Sequence, residues 1–158
     1  MTTSNKEFDS FLAISAWLTG FEAIELQGTG MTSVYFSTLQ KNITGANLEV
    51  FFAEARSVLL TAEKDPVAAK ARTLSHLMQN SSFNNLAKQI ILMWYIGQWF
   101  PEPAGDARNS TQINAQSYVE SLMWPAADTH PPGAKQPGFG SWAERPIKVD
   151  TFNVTMGK

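Results

Sequence analysis

The chain has no cysteine. That excludes disulfides, thiolate nucleophiles, Cys-ligated iron–sulfur clusters and Cys-type zinc sites within it. Charge is also scarce. Only 16% of the 158 residues are Asp, Glu, Lys or Arg, against roughly 25% in an ordinary soluble domain. The 12 Lys and Arg are outweighed by 14 Asp and Glu. No basic surplus exists to hold a nucleic-acid backbone or an anionic membrane surface, so no nucleic-acid partner is expected. Long apolar runs are missing as well. The longest, Ile90 to Ile96, has seven residues, where a bilayer-spanning helix needs about 20, so no direct membrane span is expected. The first hundred residues contain a single proline, Pro66.

What is present is aromatic and apolar. Hydrophobic residues make up 44% and aromatics 11%, with ten Phe and five Trp. Such a chain can bury a core and is not of the disordered type. Its length corresponds to one domain, 1–158. The other seven prolines all lie beyond residue 100. Proline breaks helices. The expected fold is therefore all-α: a small bundle of about five helices over 1–100, then a long Pro/Gly/Trp-rich, mostly irregular arm over 101–158.

The helices are read from periodicity and caps. The first is expected over Asn5–Leu18, with a Ser4/Glu7 capping box, a stop at Gly20, and Phe8, Phe11, Leu12, Ser15 and Leu18 on one face. A second covers Met31–Gln40. A third covers Leu48–Thr61, with Asn47 as N-cap and a stripe of Phe51, Phe52, Ala55, Val58 and Leu59. Asp65-Pro66 opens a fourth, reaching about Met78, since proline suits the first helical position. Asn80-Ser81-Ser82 separates it from a fifth that begins near Phe83 and carries Leu86, Ile90, Met93 and Gly97 on one face. From Ile90 to Phe100 the residues are apolar all round. A helix of that kind is covered on every side, either as the centre of the bundle or by another protein. A polar loop and a short helix or strand near Asn114–Trp124 follow.

Chemistry-bearing constellations are thin. His76 falls mid-helix beside Leu74, Leu77 and Met78, as an ordinary helical histidine would. Asp128-Thr129-His130 could offer two metal ligands, and a zinc site takes three or four. Gly28-Thr29-Gly30 and Gly138-Phe139-Gly140-Ser141-Trp142-Ala143 echo a dinucleotide fingerprint, but neither has a strand before it, and turn glycines account for both. The acids Glu22, Glu25, Glu49, Glu54, Glu63 and Asp65 are caps and solvated faces. Sequons at Asn42, Asn80, Asn109 and Asn153 are of a length that chance supplies. No catalytic, cofactor-binding or metal-binding residue is assigned. The large aromatics of the second half are instead assigned to a partner interface, where Trp and Tyr are the usual anchors: Trp94, Tyr95, Trp99, Tyr118, Trp124, Pro137, Phe139, Trp142 and Pro146. Trp94 carries a competing core assignment, because its helix is apolar all round.

Four pieces in order carry a family resemblance. They are Phe11-Leu12-Ala13-Ile14-Ser15 with Leu18-Thr19-Gly20; Ile91-Leu92-Met93-Trp94-Tyr95-Ile96-Gly97; Tyr118-Val119-Glu120-Ser121-Leu122-Met123-Trp124; and Pro137 to Pro146 with its Trp142-Ala143. Together they resemble the small (gamma) subunit of bacterial membrane-bound FAD-dependent sugar and polyol dehydrogenases, such as those for glucose, sorbitol and fructose. The last piece has two extra residues before its Trp, and the cysteine of some relatives is absent. The resemblance implies a non-catalytic subunit without a cofactor of its own. It implies a large flavoprotein partner carrying FAD, and allows an iron–sulfur cluster there. A cytochrome c subunit would be an indirect partner, and the place would be the periplasm, membrane-associated through the complex. The family's twin-arginine leader is not seen here, which leaves the cytoplasm open. A self-contained helical domain for a small apolar ligand, and a small enzyme using His76 or His130, are the alternatives.

Overall fold

The computed structural model describes residues 3–101 and 107–134, with the backbone alone at 3, 4, 66, 74, 76–79 and 107. It is mainly helical, as expected. Six helices build the body: α1 (Thr3–Thr19), α2 (Ala23–Gly28), α3 (Thr32–Asn42), α4 (Gly45–Ala62), α5 (Pro66–Gln79) and α6 (Ser81–Ile96). A two-residue strand β1 (Gln98–Trp99) pairs antiparallel with β2 (Thr111–Gln112), Gln98 opposite Gln112 and Trp99 opposite Thr111. Two short helices, α7 (Ala115–Val119) and α8 (Met123–Ala126), come last. Helices α1, α4, α5 and α6 form a ring in which each packs on the next, and α2 and α3 lean on α1.

Local chemistry explains most of the boundaries. Asp65 accepts from the backbone N–H groups of Val67 and Ala68, both at 3.0 Å. This is the N-cap bond that the Asp-Pro pair predicts for α5. Asp65→Ala is expected to lower stability by about 1 kcal/mol, read from urea denaturation. Asn80 caps α6 in the same way, accepting from Phe83 N–H at 3.0 Å. Gly20 follows α1 with φ 78°, a left-handed conformation that favours glycine.

Several expectations are shifted. Helix α1 starts at Thr3, so Ser4 lies inside it and not at its cap. Helix α4 starts at Gly45 behind Thr44, two residues before the expected cap Asn47. Helix α2 is not anticipated by periodicity, because six residues are too few to show it. Its signal is a capping box built from two glutamates: Glu22 N–H donates to Glu25 Oε2 at 2.7 Å, and the Glu22 side chain caps the first turn in return. The apolar run also leaves the helix earlier than expected. Helix α6 ends at Ile96, Gly97 takes φ 68°, and Gln98-Trp99 continues as strand.

The core consists largely of rings in contact. Phe83 lies 4.9 Å from Phe51, Phe51 5.6 Å from Phe52, Phe52 6.3 Å from Phe36 and Phe36 5.6 Å from Phe11. Phe11 stacks on Trp94 at 6.5 Å, and Trp94 meets Tyr35 edge-on at 4.8 Å. Much of the aromatic content is thereby used inside the bundle. From Gln89 to Phe100 no residue is exposed, but Ile91, Leu92, Tyr95, Ile96 and Trp99 each keep part of their surface open. Trp94 is fully buried.

The Tyr35 hydroxyl is buried without a hydrogen-bond partner. Burial, and secondarily the Glu120 charge, push its ionisation above the ordinary tyrosine range. An unpaired buried hydroxyl opposes folding. Tyr35→Phe is expected to leave stability unchanged or to raise it by about 1 kcal/mol; a marked loss in a urea titration would show that the hydroxyl has a partner after all.

Candidate partner-binding surface

The ends of three segments meet at one place. Tyr95 Oη donates to Thr19 O at 3.0 Å, tying the end of α6 to the end of α1. Leu122 N–H donates to Trp94 O at 2.9 Å, tying the segment before α8 to the same helix. Around Gly97 the carbonyl oxygen accepts from Ile113 N–H at 3.1 Å, Gln112 Nε2 at 3.0 Å and Ser117 Oγ at 2.8 Å. A helix C-terminus leaves carbonyls without intrahelical partners; here α7 and β2 supply donors next to that end.

Beside this junction lies a cleft of about 240 Å³, lined by α2 and its flanks and by residues 119–131. Its apolar wall comes from Phe21, Val119, Leu122, Trp124, Pro125 and Pro131, and its polar groups include Glu25, Thr129 and His130. Phe21 packs edge-on against Tyr95 at 6.3 Å. Trp124 is held by its own neighbours: Nε1 donates to Tyr118 O at 2.8 Å, and its ring meets Tyr118 edge-on at 5.3 Å. Both rings are half-buried. Each is thus fixed in orientation while part of it remains open to solvent. Ile24, on the outer face of α2, is 74% exposed.

The nine interface candidates now separate. Trp94 is corrected to the core, since a side chain with no accessible surface cannot anchor a partner to the folded chain. Tyr95, Trp99, Tyr118 and Trp124 are half-buried, and Tyr95 and Trp99 pack on the core edge. Pro137, Phe139, Trp142 and Pro146 lie outside the described residues, as do the second glycine motif and the fourth family-like piece. Phe21, Ile24 and Glu25 are not singled out for this surface by sequence. The run Phe21-Glu22-Ala23-Ile24-Glu25 mixes apolar and acidic residues at a helix start, and that is the signal by which it could be found.

The histidines do not form a described pair. His76 lies on α5. His130 lines the cleft, and its Nε2 is shielded from solvent without a hydrogen-bond partner. Among the described residues, no three His, Asp or Glu side chains are grouped so as to hold a metal. Gly28-Thr29-Gly30 joins α2 to α3 as a turn, with Gly30 at φ 71°. Among the described residues, no helix is long and apolar enough to cross a membrane. No protein-family model, curated protein or solved structure matches the chain.

Proposed function

We propose that this chain is the non-catalytic small subunit of an FAD-dependent sugar or polyol dehydrogenase complex. In that reading it stabilises the large flavoprotein subunit and assists its maturation and export. FAD and the oxidation of substrate belong to the large subunit, electrons pass onward to a cytochrome c, and the complex acts at the periplasmic face of the membrane.

One observation supports this reading most. Three of the four family-like pieces converge at a single junction: Thr19 O of the first accepts from Tyr95 Oη of the second, and Trp94 O of the second accepts from Leu122 N–H of the third. Pieces far apart in sequence have a common physical task there, which is to fix the end of α6 beside the cleft. The charge deficit fits too. Residues 90–101 carry no charge, and the core of a protein interface is depleted in charged residues.

The test is co-expression with a large FAD-binding dehydrogenase subunit, ideally the product of a neighbouring reading frame. A complex stable through size-exclusion chromatography is expected. Trp124→Ala is expected to weaken it by about tenfold or more, as for a central aromatic anchor, while the helical circular-dichroism signal of the isolated chain stays nearly intact. Two separately eluting proteins would contradict the reading.

A further inference from the structure

The cleft has a charge bias that the partner-subunit reading does not use. Its walls come from within the stretches 21–29 and 119–131. These contain the carboxylates Glu22, Glu25, Glu120 and Asp128 and no Lys or Arg; all 12 Lys and Arg lie elsewhere. Glu22 and Glu25 are exposed. Their hydrogen bonds are to backbone N–H groups of the α2 cap, and among the described residues neither is paired with a Lys or Arg. Inside the cleft a half-buried imidazole, His130, keeps one ring nitrogen without a partner. The remaining wall is aromatic and prolyl, from Phe21, Trp124, Pro125 and Pro131.

We propose that this cleft receives an arginine or lysine side chain presented by an apolar segment of a protein partner. The parts match that ligand by chemistry. A long cationic side chain lays its methylene stem on apolar surface and keeps its charged end towards polar groups. A guanidinium also stacks on aromatic faces and donates to acceptors in a fixed fork. Phe21 and Trp124 supply the rings, and Glu25 in the lining, with Glu22 next to it at the start of α2, supplies the opposite charge. At about 240 Å³ the cleft suits one or two side chains and is smaller than the roughly 300–1,000 Å³ typical of small-molecule sites. The exposed Ile24 beside Glu25 gives an apolar neighbour for the same segment. The inference rests on the partner-subunit reading only for which protein presents the segment.

The experiment uses the full chain and two short peptides, one alternating leucine and arginine and one with glutamate in place of arginine. Amide shifts in NMR titration are expected at Phe21, Glu25, Thr129 and His130 with the arginine peptide alone. The double substitution Glu22→Gln/Glu25→Gln keeps side-chain oxygens for the cap and removes both charges. It is expected to weaken arginine-peptide binding about threefold or more, as two exposed charge pairs would. Equal binding of the two peptides, shifts away from the cleft, or unaltered affinity in the double variant would each overturn the proposal. The same variant separates the two ideas in the flavoprotein complex. If wild type pairs with the flavoprotein and the double variant pairs equally well, the charge inference fails and the subunit reading stands. If wild type does not pair but the peptide titration behaves as expected, the subunit reading fails and the cleft assignment stands.

Discussion

Trp94→Ala is expected to destabilise the fold by about 3–5 kcal/mol, the range for removing a large buried aromatic. For a chain of this size that is a fall in melting temperature of about 10 °C. The side chain has no accessible surface. It lies between Phe11, stacked at 6.5 Å, and Tyr35, edge-on at 4.8 Å, so truncation leaves a void between α1, α3 and α6. Its own helix cannot close that void, because Ile90 and Met93 are already fully buried beside it. Trp94→Phe should cost much less. It keeps a ring in place, and the indole Nε1 has no hydrogen bond to lose. An unchanged melting temperature for Trp94→Ala would show that the ring is not enclosed by this chain, and would return Trp94 to the interface candidates.

Gly97→Ala is expected to cost about 2–4 kcal/mol, from two separable sources. Gly97 has φ 68°, where a side chain is strained by about 1 kcal/mol. A Cβ there would also collide with the Ser117 backbone carbonyl and approach its Oγ to 2.9 Å. Neither Ser117 nor Gly97 has room to retreat: Ser117 is fully buried, and the Gly97 carbonyl accepts three hydrogen bonds. Gly20→Ala provides the comparison. Gly20 has φ 78°, and a methyl group added there would meet nothing within 4 Å, so its replacement should cost only the conformational strain. If the two variants melt alike, the close approach of α7 to the end of α6 is wrong, and with it the junction beside the cleft.

The bundle was largely legible in the sequence. The stripe of Phe51, Phe52, Ala55 and Val58 is buried as periodicity requires, and Asp65-Pro66 and Asn80 mark the starts of α5 and α6. Helix α2 was not legible by periodicity, because its cap is made of glutamates and its single buried residue, Leu26, sets no pattern. The β1–β2 pairing was hidden for a related reason. Two residues on each side give no alternation to detect, and Gly97 turns the chain out of the helix through a backbone conformation that composition does not reveal. The surface was half legible. Sequence identified Tyr118 and Trp124, which prove to hold one another in place. For Trp94 it carried a core assignment beside the interface one, because its helix is apolar all round. Only the tertiary environment, Phe11 on one side and Tyr35 on the other, makes the distinction.

The scarcity of charge takes on a more specific meaning in this light. Part of it is the aromatic core, and part is the uncharged end of α6 beside a cleft whose flanking segments hold carboxylates and no Lys or Arg. The proposed role as a maturation subunit is tested most directly by the flavin content of its partner. The large subunit is expressed with and without this chain, and bound FAD is measured per molecule of purified protein by absorbance. The account predicts a flavin-poor large subunit when it is made alone and a fully loaded one when this chain is present. Equal loading in the two preparations would contradict it.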